Sequence, residues 1–217
     1  MSTRARAAAG LVVTLVVLAA LVALLLGRSD DDPPPRRATA DPSAPASTEQ
    51  GTVLRPTGRC ATPAARPFVP TRISVPGVVP GADVVAVPRD DRGVTGVLPL
   101  SEKTRFAWDL GGIEPGERRG NVLLNTHTWP DGSALGNALL DGLDLGDRVV
   151  LSGEGRTLCY RVTQRIEVRA ADGYPPYYDA DGPPRVAIIV CSGRRTGPGQ
   201  WTHRTIWFAR PTARATG

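Results

Sequence analysis

Apolar residues are distributed very unevenly along this chain of 217 residues. Residues 7–27 form a continuous apolar run in which Thr14 carries the only polar side chain. Residues 28–67 are rich in Pro, Ala, Ser, Thr and Asp and show no hydrophobic periodicity, which is typical of a linker. Short β-branched runs then recur between Gly and Pro turns. The pattern predicts a linker at 28–67, one folded domain at 68–210 and a disordered tail at 211–217.

The folded domain is predicted to be all-β, because its apolar runs are too short and too β-branched for stable helices. The predicted strands lie at residues 72–75, 82–87, 121–125, 148–152, 157–169, 185–190 and 205–209. A Gly-Glu-Gly sequence at 153–155 predicts a hairpin turn. Two short helices are expected, at 101–108 and 134–143. Seven or eight strands in one domain favour a single closed or nearly closed β-barrel.

The first apolar run has the length of a membrane-spanning helix, since about 20 residues cross the hydrocarbon core. Cleaved signal peptides have a shorter apolar region and a small-residue cleavage site, whereas this run ends in Leu-Leu-Leu-Gly-Arg. Residues 1–27 therefore favour an uncleaved signal anchor, with a cleaved signal as the alternative. Arg4 and Arg6 precede the run and three aspartates follow it, which places the N-terminus in the cytoplasm. We expect a single-pass cell-membrane protein with an extracellular domain.

The composition of the chain argues against several classes of function. The net charge is +5 and 41% of residues are hydrophobic, as in ordinary globular proteins. No block of basic residues with interleaved aromatics appears, which argues against nucleic-acid binding. Three cysteines without a C-x-x-C pair and two histidines argue against a structural zinc site. The sequence has no clear acidic cluster that could bind a metal, so we predict no metal site. We also expect no cofactor, and we expect a monomer.

Three chemically useful residues lie at predicted strand ends. Cys191 follows the strand at 185–190, and the Ser-Gly pair after it is expected to end that strand. Arg204 directly precedes the next strand, and His127 follows the strand at 121–125. If the strands flanking a loop at 192–203 are antiparallel neighbours, Cys191 and Arg204 share one end of the sheet. All three residues can then converge on one rim.

Together these residue types fit nucleophilic acyl transfer. Nearby positive charge lowers the pKa of a cysteine and favours the thiolate, which attacks carbonyl carbon. A protonated His127 can supply the proton that a leaving amine requires. Arg204 can bind the developing oxyanion or hold the substrate backbone.

With these residues in view, residues 68–210 resemble the sortases, most closely the actinobacterial class F type. The matching sequences are Ile-Ser-Val-Pro at 73–76, Pro-Gly-Glu at 115–117, Gly-Asp at 146–147, Ile-Val-Cys-Ser-Gly at 189–193 and His-Arg-Thr-Ile at 203–206. The resemblance implies a sortase β-barrel with His127, Cys191 and Arg204 as catalytic residues. It also implies cleavage of an LPxTG-like sorting signal between Thr and Gly through a thioester on Cys191. The acyl group would pass to a peptidoglycan-precursor amine, or to a pilin lysine.

The same resemblance bears on the substrate groove. Val190 stands where sortases usually carry Thr before the nucleophile, and Thr126 stands where they usually carry Gly before the histidine. Val190 therefore occupies a predicted substrate-binding position. In sortases the connection at 173–184, which holds Tyr177, covers the groove, so a specificity role competes there with simple loop packing.

Further residues carry predictions with open alternatives. Trp129 and Trp201 are candidates for lining the groove, or for packing alone. His203 is a less favoured candidate base, because it alternates with Arg204 along its strand. In an exported protein, Cys60 and Cys159 can form a disulfide that leaves Cys191 free, or both can stay unpaired.

Two other functions compete with the transpeptidase prediction. One is a non-catalytic sortase-like binding module, favoured by Val190. The other is an L,D-transpeptidase that cross-links peptidoglycan, which the wide separation of Cys191 and Arg204 disfavours. A papain-like protease is excluded, since its cysteine precedes its histidine in the chain.

Overall fold

The structure is a computed structural model that describes residues 66–212. In this range the β-branched runs form eight strands, accompanied by one α-helix and one 3₁₀ helix. The strands are β1 (Arg72–Val75), β2 (Val79–Val87), β3 (Phe106–Asp109), β4 (Asn121–Thr126), β5 (Arg148–Gly153), β6 (Arg156–Arg169), β7 (Arg185–Gly197) and β8 (Gln200–Pro211). The α-helix, α1, is Leu135–Gly142 and the 3₁₀ helix is Pro175–Tyr178.

The strands close into a barrel in the order β1-β2-β3-β4-β7-β8-β6-β5. The pairs β2–β3 and β4–β7 are parallel and the other pairs are antiparallel. Closure leaves no unpaired sheet edge, which is one way in which β proteins avoid edge-to-edge aggregation. The prediction of an all-β closed barrel with one or two short helices is confirmed.

Strand β4 and the central parts of β7 and β8 are buried on both faces. Successive side chains of a strand point to opposite faces, so Val122, Leu124, Ile188 and their neighbours fill the barrel interior. The alternate residues form a second cluster on the outer face. This outer cluster consists of Leu123, Tyr177, Ala187, Ile206 and Phe208. Burial on both faces explains why these strands are continuous apolar runs in the sequence.

One predicted helix is wrong. Residues 101–108 were expected to be helical, but Phe106–Asp109 is strand β3, in parallel register with β2 and antiparallel to β4. All four of its residues are buried. Pairing on both sides and burial override a local preference that carries little weight over so short a segment.

The end predicted for the strand before Cys191 is also wrong. Strand β7 continues to Gly197 and β8 begins at Gln200, so most of residues 192–203 form a long hairpin. The register shifts between Ser192 and Arg195. Gly193 has a φ of 72° at this point, and its Cβ would crowd His203 and Thr202. The glycine therefore allows a bulge within the hairpin.

The chain ends of the domain differ partly from expectation. Pro211 belongs to β8, and the amide of Thr212 donates to the carbonyl of Cys159 over 2.9 Å, so the predicted tail does not begin at residue 211. Among residues 66–212 no helix is long and apolar enough to cross a membrane. The predicted anchor, nearly all of the linker and residues 213–217 lie outside the described range. The hairpin turn at 153–155 is confirmed, with Glu154 and Gly155 both at positive φ.

Candidate active site

The three predicted catalytic residues lie side by side on adjacent strands. Cys191 on β7 is directly opposite Arg204 on β8 in the antiparallel register. The parallel register of β4 and β7 ends with Thr126 opposite Val190, so His127 and Cys191 follow at the same edge. The predicted convergence of His127, Cys191 and Arg204 is therefore present, although Cys191 and Arg204 lie within the hairpin, not at a strand end.

These side chains face a groove on the outer face of the barrel. The groove has a volume of about 670 Å³ and is lined by His127, Cys191 and Arg204. Such a volume suits a peptide segment or a small ligand. Among residues 66–212, Arg195 is the only other charged residue in the lining, and no carboxylate contributes to it. The groove therefore combines apolar walls with positive charge close to the thiol.

Burial and Arg204 act on the Cys191 thiol in opposite directions. Burial raises the pKa of Cys191, and the guanidinium of Arg204 lowers it by a smaller amount. The expectation that positive charge lowers this pKa is right for Arg204, but desolvation outweighs it. The raised pKa disfavours the thiolate of the half-buried cysteine, so attack on a carbonyl requires a base nearby.

Main-chain carbonyls hold Arg204 and a threonine holds the cysteine backbone. Nη1 of Arg204 donates to the carbonyl of His203 over 2.8 Å and to that of Trp201 over 3.3 Å. The Thr128 hydroxyl donates to the carbonyl of Cys191 over 2.7 Å. This last bond ties the segment after β4 to β7, and so fixes His127 relative to Cys191.

His127 is held from the opposite side of the groove. Its Nε2 lies 2.8 Å from the carbonyl oxygen of Leu98 and 3.2 Å from that of Pro99. Both carbonyls belong to residues 88–105, the connection between β2 and β3, which we call the β2–β3 loop. A segment far away in sequence thus sets the orientation of the imidazole.

Trp129 and Trp201 both line the groove. Asn137 fixes Trp129 twice, because its Oδ1 accepts from the Trp129 amide over 2.9 Å and its Nδ2 donates to the Trp129 carbonyl over 3.0 Å. The Lys103 ammonium lies 4.5 Å from the centre of the Trp129 ring. Trp201 is half-buried opposite Arg195 in the hairpin. Their role in binding a substrate stays a prediction.

Val190 and Tyr177 line the groove, but their side chains are almost completely buried. Val190 borders the groove, but its side chain is 2% exposed and belongs to the barrel core, on the face opposite that of Cys191. Tyr177 is 1% exposed, and its hydroxyl donates to the carbonyl of Leu124 over 3.2 Å. Neither side chain therefore offers a free polar group to a ligand. Both residues border the groove, and their role in substrate binding stays a prediction.

The β2–β3 loop is the part of the site that sequence reasoning missed. Val94, Val97 and Leu100 line the groove and are among the most exposed large apolar residues of residues 66–212. Their sequence has turn residues and no periodicity, so nothing local assigns them to a site. Apolar residues within a turn-rich segment are the one available signal.

The remaining predictions concern residues outside the groove. His203 pairs with Ser192 in the register and is not part of the groove lining. Cys159 is buried in β6, while Cys60 lies outside the described residues, so their pairing stays a prediction. Among residues 66–212 no three His, Cys, Asp or Glu side chains are grouped as metal ligands.

Solved structures of known proteins support the architecture, whereas the comparisons by sequence find no match. No protein-family model matches the chain, and no curated protein matches it by sequence. Among solved structures, sortase C1 of Streptococcus agalactiae matches with a TM-score of 0.51 at 18% identity, over 67% of this chain and 68% of that one. Sortase A of Listeria monocytogenes matches with a TM-score of 0.51 at 18% identity, over 68% and 88%.

A lid mutant of sortase A from Corynebacterium diphtheriae also matches, with a TM-score of 0.51 at 17% identity, over 68% of this chain and 72% of that one. The described domain has the sortase fold. Identities this low establish the fold alone, so the activity has to be argued from the groove of this chain.

Proposed function

We propose that this protein is a membrane-anchored cysteine transpeptidase of the sortase type. It cleaves an LPxTG-like sorting signal between Thr and Gly and transfers the acyl group to a cell-wall amine, most simply that of a peptidoglycan precursor. Residues 7–27 anchor it, and the barrel lies outside the cell. The resemblance of its motifs supports the class F type and an actinobacterial source.

One observation carries this proposal: Cys191, His127 and Arg204 share one groove on a barrel with the sortase fold. His127 takes the thiol proton, and Sγ forms a bond to the carbonyl carbon of the signal's Thr. Arg204 stabilises the oxyanion that forms. The C–N bond then breaks as His127 returns the proton to the departing Gly amine, which leaves a thioester on Cys191.

The second half of the reaction reverses these roles. An acceptor amine attacks the thioester carbonyl while His127 removes its proton. The C–S bond breaks, a new amide forms, and the proton passes back to the thiolate of Cys191. No cofactor is required, because every proton and electron pair is accounted for by these groups and the two substrates.

The test uses the full-length protein and a quenched LPxTG peptide, with and without an amine acceptor. We expect cleavage, a mass increase that corresponds to an acyl-enzyme, and loss of both in Cys191→Ala. Absence of cleavage and adduct in a folded protein would overturn the proposal.

A non-catalytic sortase-like binding module is the second candidate, favoured by the raised pKa of Cys191. In that case the peptide would bind without being cleaved, and binding would survive in Cys191→Ala. Alkylation separates the two candidates further, because a thiol that transfers its proton to His127 reacts at neutral pH and an inert buried thiol does not.

A further inference from the structure

The β2–β3 loop forms one wall of the groove without regular secondary structure of its own. Strands β2 and β3 are parallel, so the loop has to return from one end of the barrel to the other. Its path therefore depends on individual contacts with the rest of the domain, not on a hydrogen-bond ladder. Those contacts decide where the carbonyls that hold His127 lie.

Asn125 on β4, two residues before His127, makes one of these contacts. Its Nδ2 donates to the carbonyl of Gly96 over 2.9 Å. Gly96 packs so closely on the start of the loop that a Cβ would overlap the carbonyl oxygen of Pro88. Two residues later Leu98 is 8% exposed, so its side chain is buried in the protein. The stretch from Gly96 to Leu98 is thus fixed against β4.

The Leu98 carbonyl determines which nitrogen of His127 carries hydrogen. A carbonyl oxygen can only accept, so Nε2, 2.8 Å away, is the N–H nitrogen. In a neutral imidazole Nδ1 then has the free lone pair. Among residues 66–212 no hydrogen bond involves Nδ1 of His127, which leaves it available for proton exchange in the groove.

We propose that Asn125 is a positioning residue that holds His127 as its Nε2–H tautomer through the Gly96–Leu98 stretch. Nδ1 then takes the proton of the Cys191 thiol as the S–C bond forms, and gives it to the amine as the C–N bond breaks. The Leu98 carbonyl keeps its hydrogen bond throughout and stabilises the transient imidazolium. The inference rests on the proposed transpeptidase reaction.

Asn121 provides a matched control on the same strand. It is buried like Asn125, and its Nδ2 donates to the carbonyls of Pro176 over 3.0 Å and Tyr177 over 2.9 Å. It thus anchors the 3₁₀ helix on another wall of the groove by the same amide chemistry. Its Oδ1 also accepts from Nε of Arg185 over 3.0 Å. Substituting Asn121 therefore removes buried amide bonds of the same kind, none of which is to the β2–β3 loop.

The deciding experiment is imidazole nitrogen NMR of the full-length protein above the ordinary pKa of histidine. The protein has two histidines, so a His203→Gln variant assigns both sets of signals. We expect His127 as the Nε2–H tautomer in the wild type and in Asn121→Ala, and a tautomer mixture in Asn125→Ala. An Nδ1–H form in the wild type, or an unchanged tautomer in Asn125→Ala, would overturn the proposal.

Steady-state kinetics distinguish a positioning role of Asn125 from a role in substrate binding. Asn125→Ala should lower kcat about tenfold, since only part of the acid–base contribution is lost, with KM within about twofold, whereas a binding role would raise KM alone. Gly96→Ala displaces the same stretch and should reproduce the tautomer mixture even if Asn125→Ala does not fold. If the wild type cleaves no peptide, the proposed function fails, while the tautomer comparison still decides the role of Asn125.

Discussion

Cys191 and Arg204 are direct cross-strand partners in the hairpin of β7 and β8. Directly opposite residues project to the same face, so the guanidinium and the thiol share the groove. The partnership gives Arg204 an electrostatic role towards the thiol before any substrate is present. It also gives the pH dependence of Cys191 a predictable sign.

Alkylation of Cys191 should become faster with rising pH through a pKa above that of an ordinary cysteine. Burial raises this pKa and Arg204 lowers it, so Arg204→Gln should raise it further and slow alkylation at neutral pH severalfold. The measurement is the iodoacetamide rate of the full-length protein against pH. Only the thiolate reacts, so the rate reports the pKa directly.

Arg194→Gln is the control, because Arg194 lies on the same hairpin but does not line the groove. It should leave the rate profile unchanged. Equal slowing in both variants would mean that the net charge of the domain matters and the Cys191–Arg204 pairing does not.

The two histidines should differ greatly in their contribution to peptide cleavage. His127 lines the groove beside Cys191, whereas His203 lies outside the lining, where its Nδ1 is 2.9 Å from the Thr202 hydroxyl. We expect His127→Ala to lower peptide cleavage by at least about a hundredfold and His203→Gln to change it less than about threefold. The quenched-peptide assay measures both cleavage rates, and circular dichroism checks that both variants are folded. A larger loss in His203→Gln would reverse the assignment.

Part of the fold follows from sequence because strand β4 and the central parts of β7 and β8 are buried on both faces. The β7 run of Val186 to Val190 is apolar at every position, which predicts a strand buried on both faces. Strand β3 could not be predicted, since Phe106 and Trp108 gain their strand conformation from pairing with β2 and β4. Its four residues carry too little local information to outweigh a helical preference.

The candidate site, like the fold, could be predicted from the sequence only in part. The positions of His127, Cys191 and Arg204 beside apolar runs are local features, and they were sufficient to predict convergence. The β2–β3 loop was missed because its contacts with the barrel, among them those of Asn125 and Arg89, join residues that are distant in sequence. Turn-rich segments carry no period from which such contacts can be inferred.

Val190→Thr should destabilise the domain without improving cleavage. The side chain is in the barrel core beside Thr126 and Thr205, both buried and both already hydrogen-bonded through their hydroxyls. A buried hydroxyl without a good partner costs about 1–2 kcal/mol. Urea unfolding measures this cost, with Val186→Thr as the control, since Val186 lies in the same core. Unchanged stability with faster cleavage would show that position 190 contacts the substrate.

The start of the β2–β3 loop should be the part most sensitive to loss of charge. Asp109 is buried, with its side chain 1% exposed, and both of its oxygens accept from Arg89, at 2.6 to 3.0 Å. The Arg89 guanidinium also lies 5.6 Å from the centre of the Tyr178 ring, so it connects the loop to the 3₁₀ helix. Removal of Arg89 leaves a buried carboxylate without its cation.

Arg89→Leu is therefore expected to lower the free energy of unfolding by about 1–3 kcal/mol, less than for a fully buried pair because the Arg89 side chain is 42% exposed. Arg89→Lys should recover only part of this, since an ammonium cannot form the forked contact. The exposed pair of Arg72 and Asp83, at 3.4 Å, is the control, and Arg72→Ala should cost less than about 0.5 kcal/mol in the same urea titration. If the two losses were equal, burial of Asp109 would have no energetic consequence, and the ion pair could not be what holds this end of the loop against the barrel.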